Sequence, residues 1–79
     1  MNETLTQQPP SIPTTLQPHQ QRVIAEKNEL GEKLDRLKAF IMESPIFKTL
    51  PMHEQSRLNR QHDVMVEYFN ILGERISNF

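Results

Sequence analysis

Residues 40–52, Phe40-Ile41-Met42-Glu43-Ser44-Pro45-Ile46-Phe47-Lys48-Thr49-Leu50-Pro51-Met52, decide the fold. Ser44-Pro45 stops any helix running into it, because a proline ring pushes the residue before it out of the α region. Ile46, Phe47 and Leu50 then supply a short apolar plug over residues 45–50, about one helical turn. Pro51 suits the first turn of a new helix, where its missing N–H costs nothing. A connection of about seven residues between two helices makes them antiparallel neighbours.

Working upstream, Val23, Leu30 and Leu37 interleave with Leu34 and Ile41 at the three- and four-residue spacing of a helical seam, and Ile24 and Phe40 widen it. The opposite face carries Arg22, Glu26, Glu29, Glu32, Lys33, Asp35 and Arg36, with Glu29–Lys33 and Glu32–Arg36 in the favourable i, i+4 order. Pro18 fits a first turn, so helix one is expected over about 18–43, about 38 Å at 1.5 Å per residue. Downstream, Leu58, Met65, Leu72 and Phe79 repeat every seven residues with Tyr68, Phe69 and Ile76 between them, giving a second helix over about 51–78. No alternating run or Asn-Gly turn signals a strand. The fold class read from the sequence is all-α, an antiparallel two-helix hairpin with a short helical turn.

Pairing Ile41 with Met52 across the turn sets an expected register, with Lys27 near Val66 and His19 near Glu74. The open end then gathers His19, Arg22, Tyr68, Arg75 and Phe79, and mid-hairpin Gly31 meets His62 and Asp63. A mid-helix glycine costs about 1 kcal/mol relative to alanine; it either permits a close approach or is a tolerated exposed position. Two helices alone enclose no core, and the chain has no disulfide or metal to help. The wide apolar stripes predict self-association into a helical bundle, a dimeric four-helix assembly or a higher ring. Met42, Met52 and Met65 read as core filler.

Residues 1–17 read differently. Pro9, Pro10 and Pro13 stand among Gln, Thr and Ser with one charge, Glu3, a composition that cannot offset the entropy of ordering, so a disordered tail is expected there. The chain has no cysteine, no apolar run long enough to span a membrane and no secretory-signal pattern. Net charge is −1, and with Glu3 set aside nine Lys/Arg balance nine Asp/Glu. That balance argues against gripping a long nucleic acid, which favours a basic excess, but leaves room for a small anion held by two or three local cations.

Catalytic patterns are missing. Two glycines make no phosphate-binding loop or dinucleotide fingerprint. His19, His53 and His62 lack i, i+4 metal-ligand partners, no serine has an evident base beside it, and the helix-one glutamates alternate with Lys and Arg. The sequence therefore predicts no enzyme, no metal and no cofactor. Lys27 stands at a seam position, where its stem either snorkels along apolar surface toward Glu67 or holds a cation for an anionic ligand. Arg22, Tyr68 and Arg75 carry the same double reading, since arginine beside an aromatic holds phosphates and flat bases.

In order and spacing, His19-Gln20-Gln21-Arg22-Val23, Glu26-Lys27, Glu29-Leu30, Lys33-Leu34, Leu37, Phe40-Ile41, Phe47, Leu50-Pro51, Met65, Tyr68, Ile71-Leu72 and Arg75-Ile76 resemble a family of small helical-hairpin proteins of tailed, crAss-like bacteriophages. The likeness covers residues 19–76. More distantly the plan is similar to the phage anti-CBASS sponges, which share the Leu-Pro start of the second helix. That resemblance implies a homo-oligomer in the host cytoplasm that sequesters a cyclic di- or trinucleotide, with contacts near the start of helix one and at subunit junctions. On this chain the implied ligand-binding residues are His19, Arg22 and Lys27, joined by Tyr68 and Arg75 from the residue reading. Gln17-Pro18-His19-Gln20 stands where the sponges have Tyr-His-Pro-Pro, leaving His19 or Tyr68 to supply any stacking ring. The other readings are a protein-binding inhibitor of a host defence enzyme and a plain coiled-coil-like oligomerisation module.

Overall fold

The computed structural model describes residues 15–79. The described residues form helix α1 (Pro18–Glu43), a single 3-10 turn (Phe47–Thr49) and helix α2 (Met52–Ser77), with no strand among them. The tail expected over 1–17 lies, up to residue 14, outside the described residues.

Side-chain amides hold the helix ends. Gln17 is extended, and its N–H donates to Gln20 Oε1 at 2.9 Å. Gln21 Nε2 donates to Leu16 O at 2.9 Å. At the turn, Ser44 leaves the α region as its following proline requires, and Ser44 Oγ accepts the Ile46 N–H at 3.2 Å. Gln55, one turn into α2, reaches back and donates to Leu50 O at 2.9 Å and Lys48 O at 3.3 Å. Glu54 in the first turn of α2 and Arg75 in its last complement the helix dipole. Asn78 closes the helix by donating its side-chain amide to Glu74 O at 2.8 Å.

The two helices make one layer, 14 Å in its thinnest dimension, scarcely more than a single helix with its side chains. Burial is correspondingly slight. Val23, Leu30 and Leu72 form the seam, with Met65, Phe69 and Ile76 packed against them, and Leu72 is wholly enclosed. Phe47 is buried at the turn, its ring edge-on to Phe40 at 6.0 Å between centroids. The rest of the expected plug differs, because Ile46 points to solvent. Met42 and Met52 are exposed as well, so only Met65 serves as core filler.

The register also departs from expectation. Lys27 lies against Phe69 and Gly73 rather than Val66. Gly31 faces Phe69, not His62 and Asp63: a Cβ there would stand 3.1 Å from Phe69 Cε1. Ile41 lines one groove with Asn59 and His62, not Met52. Each pairing is displaced one to two turns along α2. A heptad pattern superimposes on itself when slid by seven residues, so periodicity does not discriminate between such registers. The turn does, because residues 44–51 occupy the space beside the first turn of α2.

Leu72→Ala tests the weight of this thin core. Removing the one wholly enclosed side chain should cost about 2–5 kcal/mol, read as a lower urea midpoint for helical ellipticity. An unchanged midpoint would show that the seam is not what holds the hairpin.

Candidate ligand-binding site

The helix geometry places the five anticipated site residues on two different faces. Arg22 and Lys27, five residues apart, project about 140° from each other around α1 at roughly 100° per residue. On α2, Tyr68 and Arg75 share one stripe, turned by roughly 100–120° from Phe69, which is the residue Lys27 touches. Lys27 therefore lies on one broad side of the layer, and Arg22, Tyr68 and Arg75 lie on the other. The five do not converge within one hairpin. Tyr68 stands mid-helix, on the helical turn that bears Phe69, about 10 Å along the axis from Arg75 at 1.5 Å per residue, so the expected gathering of Tyr68 at the open end does not occur.

On the first side, the Lys27 ammonium sits 4.1 Å from the centroid of the Phe69 ring. Its stem crosses Gly73, with Cε 3.4 Å from where a Cβ would be. Gly31 admits the ring edge, whereas a Cβ at Gly73 would stand in van der Waals contact with the lysine stem. A cation over an aromatic face is attracted to the ring quadrupole, worth about 0.5–1 kcal/mol at an exposed site. Snorkelling along apolar surface was one of the sequence readings, but its terminus is Phe69 and not Glu67. Farther along this side, Lys38, Ile41, Met42, Asn59 and His62 line a groove of about 220 Å³.

The ion pairs among the described residues are Arg57 with Glu54 at 2.9 Å, and His62 with Asp63 at 3.4 Å when the histidine is protonated. Neither involves Arg22, Lys27 or Arg75. The i, i+4 pairs expected as Glu29–Lys33 and Glu32–Arg36 are not formed within bonding distance. His19, Arg22 and Arg75 are exposed, and Tyr68 is exposed at mid-helix.

Sequence reasoning passed over a groove on the second side. Arg57, Arg60, Gln61, Val64 and Met65 line an open depression of about 360 Å³. Its signal was legible in Arg57, Arg60, Gln61 and Val64, which fall at helical three- and four-residue spacing one stripe away from the seam. Among the described residues no three His, Asp or Glu side chains gather as a metal site would need, and no helix is long and apolar enough to cross a membrane.

The described residues form an all-α hairpin one layer thick, with Lys27 on one side and Arg22 and Arg75 on the other, none of them in an ion pair with a described carboxylate. The family model described as Sequestin matches residues 17–78, from the first cap of α1 to the last cap of α2, and the chain belongs to that family. The family name denotes sequestration. Comparisons with curated proteins and with solved structures give no match.

A double-mutant cycle measures the central contact. Lys27→Met and Phe69→Leu should show a coupling of about 0.5–1 kcal/mol in unfolding free energy. Strict additivity would mean that the ammonium gains nothing from the ring.

Proposed function

We propose that this protein is a non-catalytic sponge, a phage accessory protein that counteracts bacterial defence by holding a cyclic oligonucleotide signal away from its receptor. The observation that carries the reading is that Arg22, Lys27 and Arg75 form no ion pair with another described residue. Cations committed to neighbouring carboxylates would have been spent on the fold. Membership of the Sequestin family supports the sequestering part of the reading, and the resemblance to phage anti-CBASS sponges supports its ligand class.

Lys27 over Phe69 supplies a charge beside an aromatic, the combination that takes a phosphate and a base together. His19 and Arg22 at the start of α1 supply a second cationic patch, with Arg75 and Tyr68 farther along the same side. Because the two patches face opposite ways, a ligand that uses both is held between copies of the chain. Self-association in the host cytoplasm therefore belongs to the proposal. Two rigid helices carrying the donors also reduce the ordering cost of binding.

A thermal-shift screen of the full chain against cyclic di- and trinucleotides tests this. At 100 times its Kd a ligand adds about 2.7 kcal/mol to the stability of the state that binds it, a large displacement for so small a core. Arg22→Ala and Lys27→Ala should each reduce the shift. If no cyclic nucleotide moves the transition, the sponge reading fails and an inhibitor acting on a host protein takes its place.

A further inference from the structure

The groove of about 220 Å³ on the Lys27 side of the layer is walled by both helices, with Lys38, Ile41 and Met42 from α1 and Asn59 and His62 from α2. Lys38 follows Lys27 by eleven residues, which returns it to within about 20° of the same stripe and carries it about 16 Å along the axis. The two lysines therefore serve different places, and one copy of the chain supplies every wall of this groove. We propose that the groove is a second ligand site, for a small planar organic anion: one ring bearing one phosphate or carboxylate. It goes beyond the sponge reading and needs neither a cyclic nucleotide nor self-association.

The lining sets the charge, size and shape of the ligand. Lys38 brings a positive charge, Asn59 and His62 bring hydrogen-bonding groups, and no carboxylate lines the groove. Lys38 makes no ion pair with a described residue, so an oxyanion is the partner the lining lacks. Asp63 Oδ1 stands 3.4 Å from His62 Nδ1, leaving Nε2 as the ring nitrogen with no described partner. The groove is larger than the cavity of about 150 Å³ that takes a benzene, and smaller than the roughly 300–1,000 Å³ of pockets for drug-sized ligands. It has room for one ring and its charged group, not for a whole cyclic dinucleotide. Shape follows from Met42 and His62. Met42 is 70% exposed, so a thioether stands uncovered on a groove that an imidazole also lines. A flat ring gains from contact with the sulfur and stacks on a histidine ring.

The test is an NMR titration of the full chain with phenyl phosphate, benzoate, inorganic phosphate and benzyl alcohol. It is read at the Met42 methyl, the Asn59 side-chain amide and the His62 ring. Phenyl phosphate or benzoate should move all three signals together to a plateau, and the tighter of the two identifies the oxyanion. Lys38→Met should weaken that binding by about fivefold or more. Lys48→Met, which removes a cation from the turn, should leave it unchanged. Both lysines are exposed, so neither variant disturbs the seam. Equal weakening by the two variants, or shifts that spread over Arg57, Arg60 and Arg75 without a plateau, would mean diffuse attraction and overturns the site. Inorganic phosphate binding as tightly as phenyl phosphate overturns the ring, and benzyl alcohol binding as tightly overturns the anion.

Discussion

The close approach of Phe69 to Gly31 is the contact on which the rest of the hairpin depends. Heptad stripes supply the attraction between the helices, yet any slide by seven residues returns an equivalent stripe. Together with the turn, shape breaks that degeneracy. A glycine on α1 opens a gap that the Phe69 ring enters to within 3.1 Å of a would-be Cβ, and Lys27 covers the ring with its ammonium 4.1 Å from the centroid. Gly31 costs helical stability taken alone. The Phe69 ring uses the volume that Gly31 leaves, and in this register Leu72 is wholly enclosed.

The consequence of that register is a molecule with almost no inside. Among the described residues only Val23, Leu30, Phe47 and Leu72 are buried hydrophobics, while Met42, Ile46, Met52, Val64, Tyr68, Ile71 and Phe79 remain exposed. A single-layer hairpin has two broad faces, and neither helix can cover them both. Stability and binding are therefore coupled. Whatever covers an exposed stripe removes apolar surface from water and favours the ordered state at once. A sequestering protein gains from this coupling, because ligand and partner each raise the population of the form that holds the other.

How far the sequence announced this can be judged residue by residue. Pro18, Ser44-Pro45 and Pro51 bracket the helices through backbone sterics, which act locally and are legible without tertiary information. The seam residues Val23, Leu30 and Leu72 were likewise visible from their period. The register was not, since it depends on how much space residues 44–51 occupy and on which large ring meets which glycine. Glu67 as the partner of Lys27 failed for a different reason: it stands two residues from Phe69, about 160° around α2, and faces away from α1 in any register. With Lys27 set opposite Phe69, the ring replaces the carboxylate. Gln20, Gln21 and Gln55 as clamps on helix ends were also missed, because a glutamine's choice between solvent and a nearby carbonyl leaves no periodic trace.

The placement of the cations limits what kind of binder this can be. Lys27 and Arg22 on opposite sides of a layer 14 Å thick cannot close on one small ligand within a single copy. A monomer would offer two shallow half-sites, each with one aromatic or a few solvated donors, and shallow cationic patches in water discriminate poorly among anions. On the proposed reading, depth comes from a second chain. Desolvating Lys27 or Arg22 under a neighbouring copy strengthens its attraction for phosphate, since charge interactions grow as water is excluded. The same burial penalises the empty site, where the cation is left unpaired. An assembly of that kind would favour the bound state on both counts, as the proposed sequestration of an anion requires.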